Sequence, residues 1–235
     1  MTNETLMSAL SLGLILGLRH AFDPDHIAAV STIVSEAKSV RRSSIVGASW
    51  GLGHAVSLFV AGVLVIALKV QISDRLALWM EFAVALMLVL LGVKALLRSF
   101  HGWKLHVHRH THGGHSHIHA HLHRLDTDHV HSHRHLIRSG AQPFAVGLVH
   151  GLAGSSGLMI LVLATIPSAV GGLIYIVVFG LGSIGGMLLM SCLISLPFVF
   201  GRRFRALGET MQLIVGLSST VFGLFLALQI GWQQF

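Results

Sequence analysis

An apolar stretch near the N-terminus is interrupted by residues that are able to bind a metal ion. The eight residues from His20 to Ile27 include two imidazoles, those of His20 and His26, and two carboxylates, those of Asp23 and Asp25. Ionisable groups at membrane depth are costly and usually have a function. Imidazole combined with carboxylate is a ligand set for divalent cations such as Ni²⁺, Co²⁺ or Zn²⁺. The octad therefore predicts a metal site on a transport path.

Helix geometry decides which of these groups converge. On a continuous helix His20, Asp23 and His26 share one face, because residues three or four apart are neighbours. Pro24 favours the alternative, a break that frees backbone groups for the site. Asp25 points elsewhere on a continuous helix. On a broken helix it joins the ligands or pairs with the arginine that precedes His20.

Two further histidines, His54 and His150, lie in other apolar stretches and complete the set of candidate ligands. For each of them the alternative is a buried histidine with ordinary hydrogen-bond partners. Ser155 and Ser156 are close in sequence to His150 and are possible partners. Glu81 is either an acid near a helix start or a group that supports the site.

The composition indicates that these residues belong to a membrane protein. Only 11% of the 235 residues are charged, against about 25% in soluble proteins. A membrane span needs about 20 mostly apolar residues, and six stretches meet that length. They cover roughly residues 6–34, 43–68, 75–97, 143–166, 168–200 and 208–233. We therefore expect an all-α membrane protein with six transmembrane helices.

Basic residues mark one side of the membrane. The loops at 35–42 and 201–207 hold three each and the long 98–142 loop holds more, whereas the opposite side has Lys69 and Arg75. The positive-inside rule then predicts cytoplasmic basic loops and external termini in a bacterial-type inner or plasma membrane. Topology explains the net charge of +7, so nucleic acid is not an expected partner.

The two halves of the chain resemble each other. The string at 17–20, Gly-Leu-Arg-His, matches Gly-Leu-Val-His at 147–150, and Gly-Leu-Gly-His at 51–54 matches Gly-Leu-Gly-Ser at 180–183. Three spans per half is an odd number, so the halves must have opposite orientations. Inverted repeats of this kind are a transporter architecture with a binding site near the midplane.

A histidine-rich segment separates the halves. Residues 101–135 hold fourteen of the eighteen histidines, many at alternate positions. This composition predicts a disordered cytoplasmic loop that binds divalent metal through changing sets of imidazoles, and the alternative is a solvated linker. The predicted organisation is a first three-helix repeat with the metal motif at 1–100, the loop at 101–138 and a second three-helix repeat at 139–235.

Two motifs resemble those of a known family. Arg19–Ile27 closely resembles the signature R-H-A-[FV]-D-A-[DH]-H-I of the nickel/cobalt transporter (NicO/NiCoT) superfamily, and Trp50–Val56 resembles its second motif, L-G-H-S-[TS]-V-V. Pro24 stands where alanine is usual, and six spans are predicted where the best-known nickel permeases have eight. The start of the second half, at 147–157, looks more like the shorter, urease-cluster-associated (UreH-like) members.

The resemblance implies a nickel or cobalt permease in which His20, Asp23, Asp25, His26 and His54 serve metal recognition. It implies no enzymatic activity and no prosthetic group, since Ni²⁺ or Co²⁺ is the transported substrate. The expected partners are the metal ion, the lipid bilayer, and cytoplasmic metallochaperones or urease or hydrogenase maturation proteins.

The direction and the class of function have alternatives at this stage. Uptake by secondary transport is the leading prediction, and efflux for metal resistance is the alternative because the superfamily includes exporters with histidine-rich loops. A membrane metalloenzyme of the di-iron type is disfavoured because the sequence has no adjacent His-His pair. A metal-buffering scaffold is the remaining alternative.

Overall fold

A computed structural model describes residues 3–37, 39–68, 73–100, 103–112, 115–124, 136–153, 168–201 and 205–234. Within these ranges the chain forms seven helices and one β-hairpin. In chain order the elements are α1 (Asn3–His20), α2 (Pro24–Val34), α3 (Val40–Leu68), α4 (Asp74–Phe100), β1 (Trp103–His112), β2 (His115–Arg124), α5 (Leu136–Ala153), α6 (Ala169–Gly201) and α7 (Arg205–Gln234). The end of the span predicted at 143–166 lies outside the described residues, and α5 begins ahead of the boundary predicted at residue 139.

The first predicted span is broken into two helices. α1 ends at His20 and α2 begins at Pro24. Proline has no N–H, and its ring would clash with the carbonyl four residues earlier, which here is that of His20. Asp23 has the extended backbone (φ −64°, ψ 147°) that is favoured before a proline. The break that the sequence allowed is therefore present.

Four helices are long and apolar enough to cross a membrane, and a shorter apolar helix precedes them. The four are Val40–Leu68, Asp74–Ser99, Ala169–Gly201 and Leu207–Trp232, and the shorter one is Met7–His20. Large apolar side chains on these helices, Leu90, Leu181 and Leu228 among them, are exposed, as lipid-facing positions require. The chain is an integral membrane protein with a mainly helical fold.

The histidine-rich segment differs from the disordered loop that was predicted. β1 and β2 pair antiparallel, with Cα partners running from Trp103 with Arg124 to His112 with His115. Successive strand positions alternate between two faces, and the alternating histidines have this two-residue period. Among the described residues this hairpin is the one departure from the helical fold that the sequence predicts. The remaining histidines of the segment, His101 and those at 129–135, lie outside the described residues.

Glycines allow two pairs of helices to approach very closely. α1 packs mainly on α6, and α5 packs mainly on α3. A Cβ atom on Gly17 of α1 would collide with the carbonyl oxygen of Phe179 in α6. A Cβ atom on Gly147 of α5 would collide in the same way with the carbonyl oxygen of Trp50 in α3. Small residues at such contacts are typical of membrane helix pairs.

Each pair is also tightened by a glycine of the second helix. A Cβ atom on Gly182 of α6 would meet the carbonyl oxygen of Leu14, and one on Gly53 of α3 would meet that of Phe144. By contrast, a Cβ atom on Gly185 would have nothing within 4 Å. Close backbone approach is therefore confined to particular glycines.

Polar side chains connect three helices at the end of the bundle where α2 and α4 finish. Arg98 of α4 forms an ion pair with Glu36, which follows α2. Lys94 Nζ donates a hydrogen bond to Gln142 Oε1 of α5 at 3.2 Å. The cavity beside these groups measures only about 30 Å³, which is too small for a hydrated cation.

Candidate metal centre

Four helices each deliver one histidine to the same place. His20 is the last residue of α1, His26 is in the first turn of α2, His54 is in α3 and His150 is near the end of α5. All four are buried, with 4% exposure or less. The His26 ring is central, because its centroid lies 4.1 Å from that of His150, 4.5 Å from that of His20 and 5.3 Å from that of His54.

Two carboxylates hold three of these rings. His20 Nδ1 lies 2.8 Å from Asp23 Oδ2, and His26 Nδ1 lies 3.1 Å from Asp25 Oδ1. The second oxygen of Asp25 lies 2.8 Å from His150 Nε2. An ionised carboxylate only accepts, so each ring nitrogen donates its N–H. The opposite nitrogen, Nε2, of His20 and His26 then carries the lone pair.

Several ring nitrogens have no partner. His20 Nε2, His26 Nε2 and both nitrogens of His54 are buried without a hydrogen-bond partner among the described residues. Buried polar atoms nearly always have a partner, because burying an unpaired one is costly. One ligand atom from each of these three histidines lies within 4.8 Å of the others. A cation bound by one nitrogen of each of these three histidines would give a partner to three of the unpartnered nitrogens.

A second group of ligand atoms overlaps the first. Asp25, His26 and His150 also offer three atoms that lie within 4.8 Å of one another. Histidines that bind a metal commonly donate their other N–H to a carboxylate, which fixes the ring. The contacts of Asp23 and Asp25 have this form. Imidazole suits Ni²⁺ and Zn²⁺, and neither group includes the single cysteine, Cys192.

Two aromatic side chains line the cluster. The Trp50 ring stacks on that of His26, with centroids 5.4 Å apart and 19° between the planes. The Phe179 ring lies 5.7 Å from that of His20. Both aromatic residues are buried and keep the histidines away from lipid. The sequence analysis did not select them, although each directly precedes a Gly-Leu-Gly string of the repeat.

A cavity of about 360 Å³ reaches the carboxylates. Its walls include Asp23, Asp25, Glu81 and Gln229. Glu81 is near the start of α4 and Gln229 is near the end of α7. The cavity therefore lies at the end of the bundle opposite to the Glu36–Arg98 ion pair. Glu81 lines this cavity and is not among the ligand atoms of either group.

All six residues selected from the sequence lie in this region. The reason is the chain break and not a shared helical face, because His20 and His26 belong to different helices. Asp25 joins the cluster through hydrogen bonds to His26 and His150 and not through the neighbouring arginine.

Comparison with known proteins identifies the family. Residues 6–233 match the NicO family, described as "High-affinity nickel-transport protein". The chain belongs to this family.

Curated relatives agree with this assignment. The chain is 37% identical over 231 residues to "Urease accessory protein UreH" of Bacillus sp. (strain TB-90), covering 98% of this chain and 95% of that protein. It is 27% identical over 186 residues to "Chloroplast protein FOR GROWTH AND FERTILITY 2" of Arabidopsis thaliana, covering 78% of this chain and 46% of the relative. No solved structure matches the chain significantly. The protein is thus a metal transporter of the NicO family, similar to UreH, and not an enzyme.

Proposed function

We propose that this protein takes up Ni²⁺ or Co²⁺ across the inner membrane by secondary transport, through the buried histidine cluster. The observation that carries the proposal is the convergence of His20, His26 and His54, whose unpartnered nitrogens lie within a helical membrane protein. Only fixed ligands define a path, and these three are fixed by helix packing and carboxylates.

The roles follow from the hydrogen bonds. His20 Nε2, His26 Nε2 and one nitrogen of His54 bind the ion. Asp23 and Asp25 orient the rings and offset the charge of the cation in a low-dielectric site. Carboxylates in such positions raise the basicity of the ligating imidazole, and their loss typically weakens metal binding by about 10- to 100-fold.

The cavity is the route by which the ion reaches the cluster. Its volume of about 360 Å³ accommodates a partly hydrated cation, and its wall includes three carboxylates. A cleft lined by one sign of charge concentrates the counter-ion. The Glu36–Arg98 ion pair and the Lys94–Gln142 hydrogen bond join helices at the other end of the bundle. These observations support entry of the ion from the end where α4 begins.

We also propose six spans in two inverted halves, with external termini and a cytoplasmic histidine-rich hairpin. The support is that Gly17 and Gly147, equivalent positions of the sequence repeat, make the same contact with a backbone carbonyl. Cysteines at Asn3→Cys and Gln234→Cys on a Cys192→Ser background should react with an impermeant reagent from outside, and one at Ser116→Cys from inside. The reverse pattern contradicts this topology.

The partners follow from the cargo. A cytoplasmic Ni²⁺ ion requires a recipient, and the relative UreH is named a urease accessory protein. We therefore place cytoplasmic metallochaperones and urease or hydrogenase maturation proteins on the receiving side.

Flux measurements test the function directly. Purified protein in liposomes of known orientation is given radioactive nickel on either side. The wild type should move nickel, preferentially from the side of the termini, and His26→Ala should not. The control is Ser183→Ala, which removes a buried hydroxyl that donates to the Phe179 carbonyl within its own helix. Nickel flux that persists in a correctly folded His26→Ala protein contradicts the proposal, and preferred export refutes uptake.

A further inference from the structure

We propose that the ion occupies two positions in succession, which share His26. This inference rests on the proposed function. The outer position is formed by Asp25, His26 and His150, and the inner position by His20, His26 and His54. Each set offers three ligand atoms within 4.8 Å of one another.

The central ring separates the two positions. His26 Nδ1 faces Asp25 at 3.1 Å, whereas His26 Nε2 is without a partner among the described residues. Asp25 reaches His150 through its second oxygen at 2.8 Å. The rings of His54 and His150, which belong to different sets, are 6.3 Å apart, farther than either is from His26. The atoms of the outer set therefore face the Nδ1 edge of the His26 ring, whereas the unpartnered Nε2 is on the opposite edge.

Occupancy of the two positions is mutually exclusive. A neutral imidazole has one lone pair in the ring plane and one N–H, so His26 coordinates an ion through one nitrogen at a time. Two divalent cations held by the two nitrogens of one ring would also repel each other strongly. One ion therefore moves between the positions. The single ring proton of His26 is on Nε2 while the ion is at the outer position and on Nδ1 while it is at the inner position, and His150 carries its proton on Nδ1 while its Nε2 binds the ion.

Exposure sets the order in which the positions are filled. The Asp25 side chain is 21% exposed and lines the cavity, whereas the His26 side chain is fully buried. An arriving ion meets the carboxylate first. Carboxylate ligands accept hard, hydrated ions such as Mg²⁺ and Ca²⁺, whereas imidazole favours Ni²⁺. The outer position therefore captures the ion, and the inner position, with three imidazoles, selects it.

The competing explanation is that His150 only anchors Asp25 by a hydrogen bond. The variant His150→Gln distinguishes these two explanations. The glutamine amide still has an N–H that donates to Asp25, but the imidazole ligand is lost. The full-length protein in detergent is mixed rapidly with NiCl₂, and binding is followed by quenching of tryptophan fluorescence. Trp50, stacked on His26, is the reporter, and Trp50→Phe identifies its signal.

The expected result for His150→Gln is a loading rate about tenfold lower, with an equilibrium Ni²⁺ affinity within about threefold of the wild type. An unchanged loading rate overturns the proposal. So does a loss confined to equilibrium affinity.

His54→Gln provides a second test that is independent of the first. The folded variant should still bind one Ni²⁺ at the outer position, and X-ray absorption should detect two imidazoles and a carboxylate. Its preference for Ni²⁺ over Mg²⁺ should fall by at least about tenfold. A folded His54→Gln protein that binds no nickel overturns the proposal of two positions. A wild type that binds nickel but does not transport it refutes the proposed function instead.

Discussion

The helix pairs α1–α6 and α3–α5 pack in the same way but carry different chemistry. In both, one glycine lies against a carbonyl oxygen of the partner, Gly17 at Phe179 and Gly147 at Trp50. In α3 the position after the Gly-Leu-Gly string is His54, whereas in α6 it is Ser183. His54 has two unpartnered nitrogens, but Ser183 simply donates to the Phe179 carbonyl.

Helix packing and ligand chemistry are therefore specified by different residues of each pair. The backbone contact tolerates no side chain, so both pairs need glycine whatever the site does. The ligands occupy positions beside the contact, where either a histidine or a serine fits. The first half of the chain is thereby able to provide most of the ligands. The second half provides His150 and rigid packing partners.

The largest effect should come from breaking the packing in either pair. Gly17→Leu and Gly147→Leu should both leave almost no folded protein, because the new Cβ atom would overlap a backbone carbonyl. Overpacking in a core usually costs about 1–3 kcal/mol, and a backbone collision costs more. The measurement is the yield of monodisperse protein after detergent extraction.

Gly185→Leu is the matched control for that experiment. It lies in α6, but a Cβ atom there has nothing within 4 Å, so the yield should stay near that of the wild type. Normal yields for Gly17→Leu and Gly147→Leu would show that the close contacts are not required.

The next largest effect concerns the chemical difference between the pairs. His54→Ser gives α3 the residue that α6 has, and it should weaken equilibrium Ni²⁺ binding by about 100-fold, because a ligand is lost and not merely an orienting group. Ser183→Ala should change binding by less than about threefold. Titration of both purified proteins with nickel measures the contrast. Equal losses in the two variants would mean that His54 acts only through packing.

A smaller effect is expected in the cavity wall. Glu81→Gln should raise the nickel concentration for half-maximal flux by roughly two- to fivefold without lowering the maximal rate, because Glu81 attracts the ion but is not a ligand. Asp74→Asn, which removes an exposed carboxylate at the start of the same helix, is the control. A loss of maximal rate in Glu81→Gln would assign it to the binding site.

The smallest effect should follow removal of the segment between the halves. Replacing residues 101–135 with a short Gly/Ser linker should leave the maximal flux at saturating nickel unchanged, with altered dependence on metal at low supply. The reason is that neither ligand group found among the described residues includes a residue of this segment. A stably expressed deletion without any flux would contradict this view.

The sequence indicated where the first span could break and which of its side chains could bind a metal, because the causes are local. Pro24 cannot continue a helix, and His20, Asp23 and His26 are close in sequence whichever way the chain turns.

Other features depended on tertiary structure. The Asp25–His150 hydrogen bond joins residues 125 positions apart, and no local pattern links α2 with α5. The stacking of Trp50 on His26 likewise depends on the packing of two helices against each other. For the hairpin the signal was present, because alternation with a period of two is the pattern of a strand.

The pairing of α1 with α6 has a consequence for biosynthesis. α1 is translated long before its main partner, which begins only at Ala169. The apolar part of α1, Met7–His20, is shorter than the roughly 20 residues that hold a helix across a bilayer unaided. The nascent chain therefore carries an N-terminal segment that lacks a stable membrane position until α6 has been translated. α1 is therefore translated early but reaches its final place late.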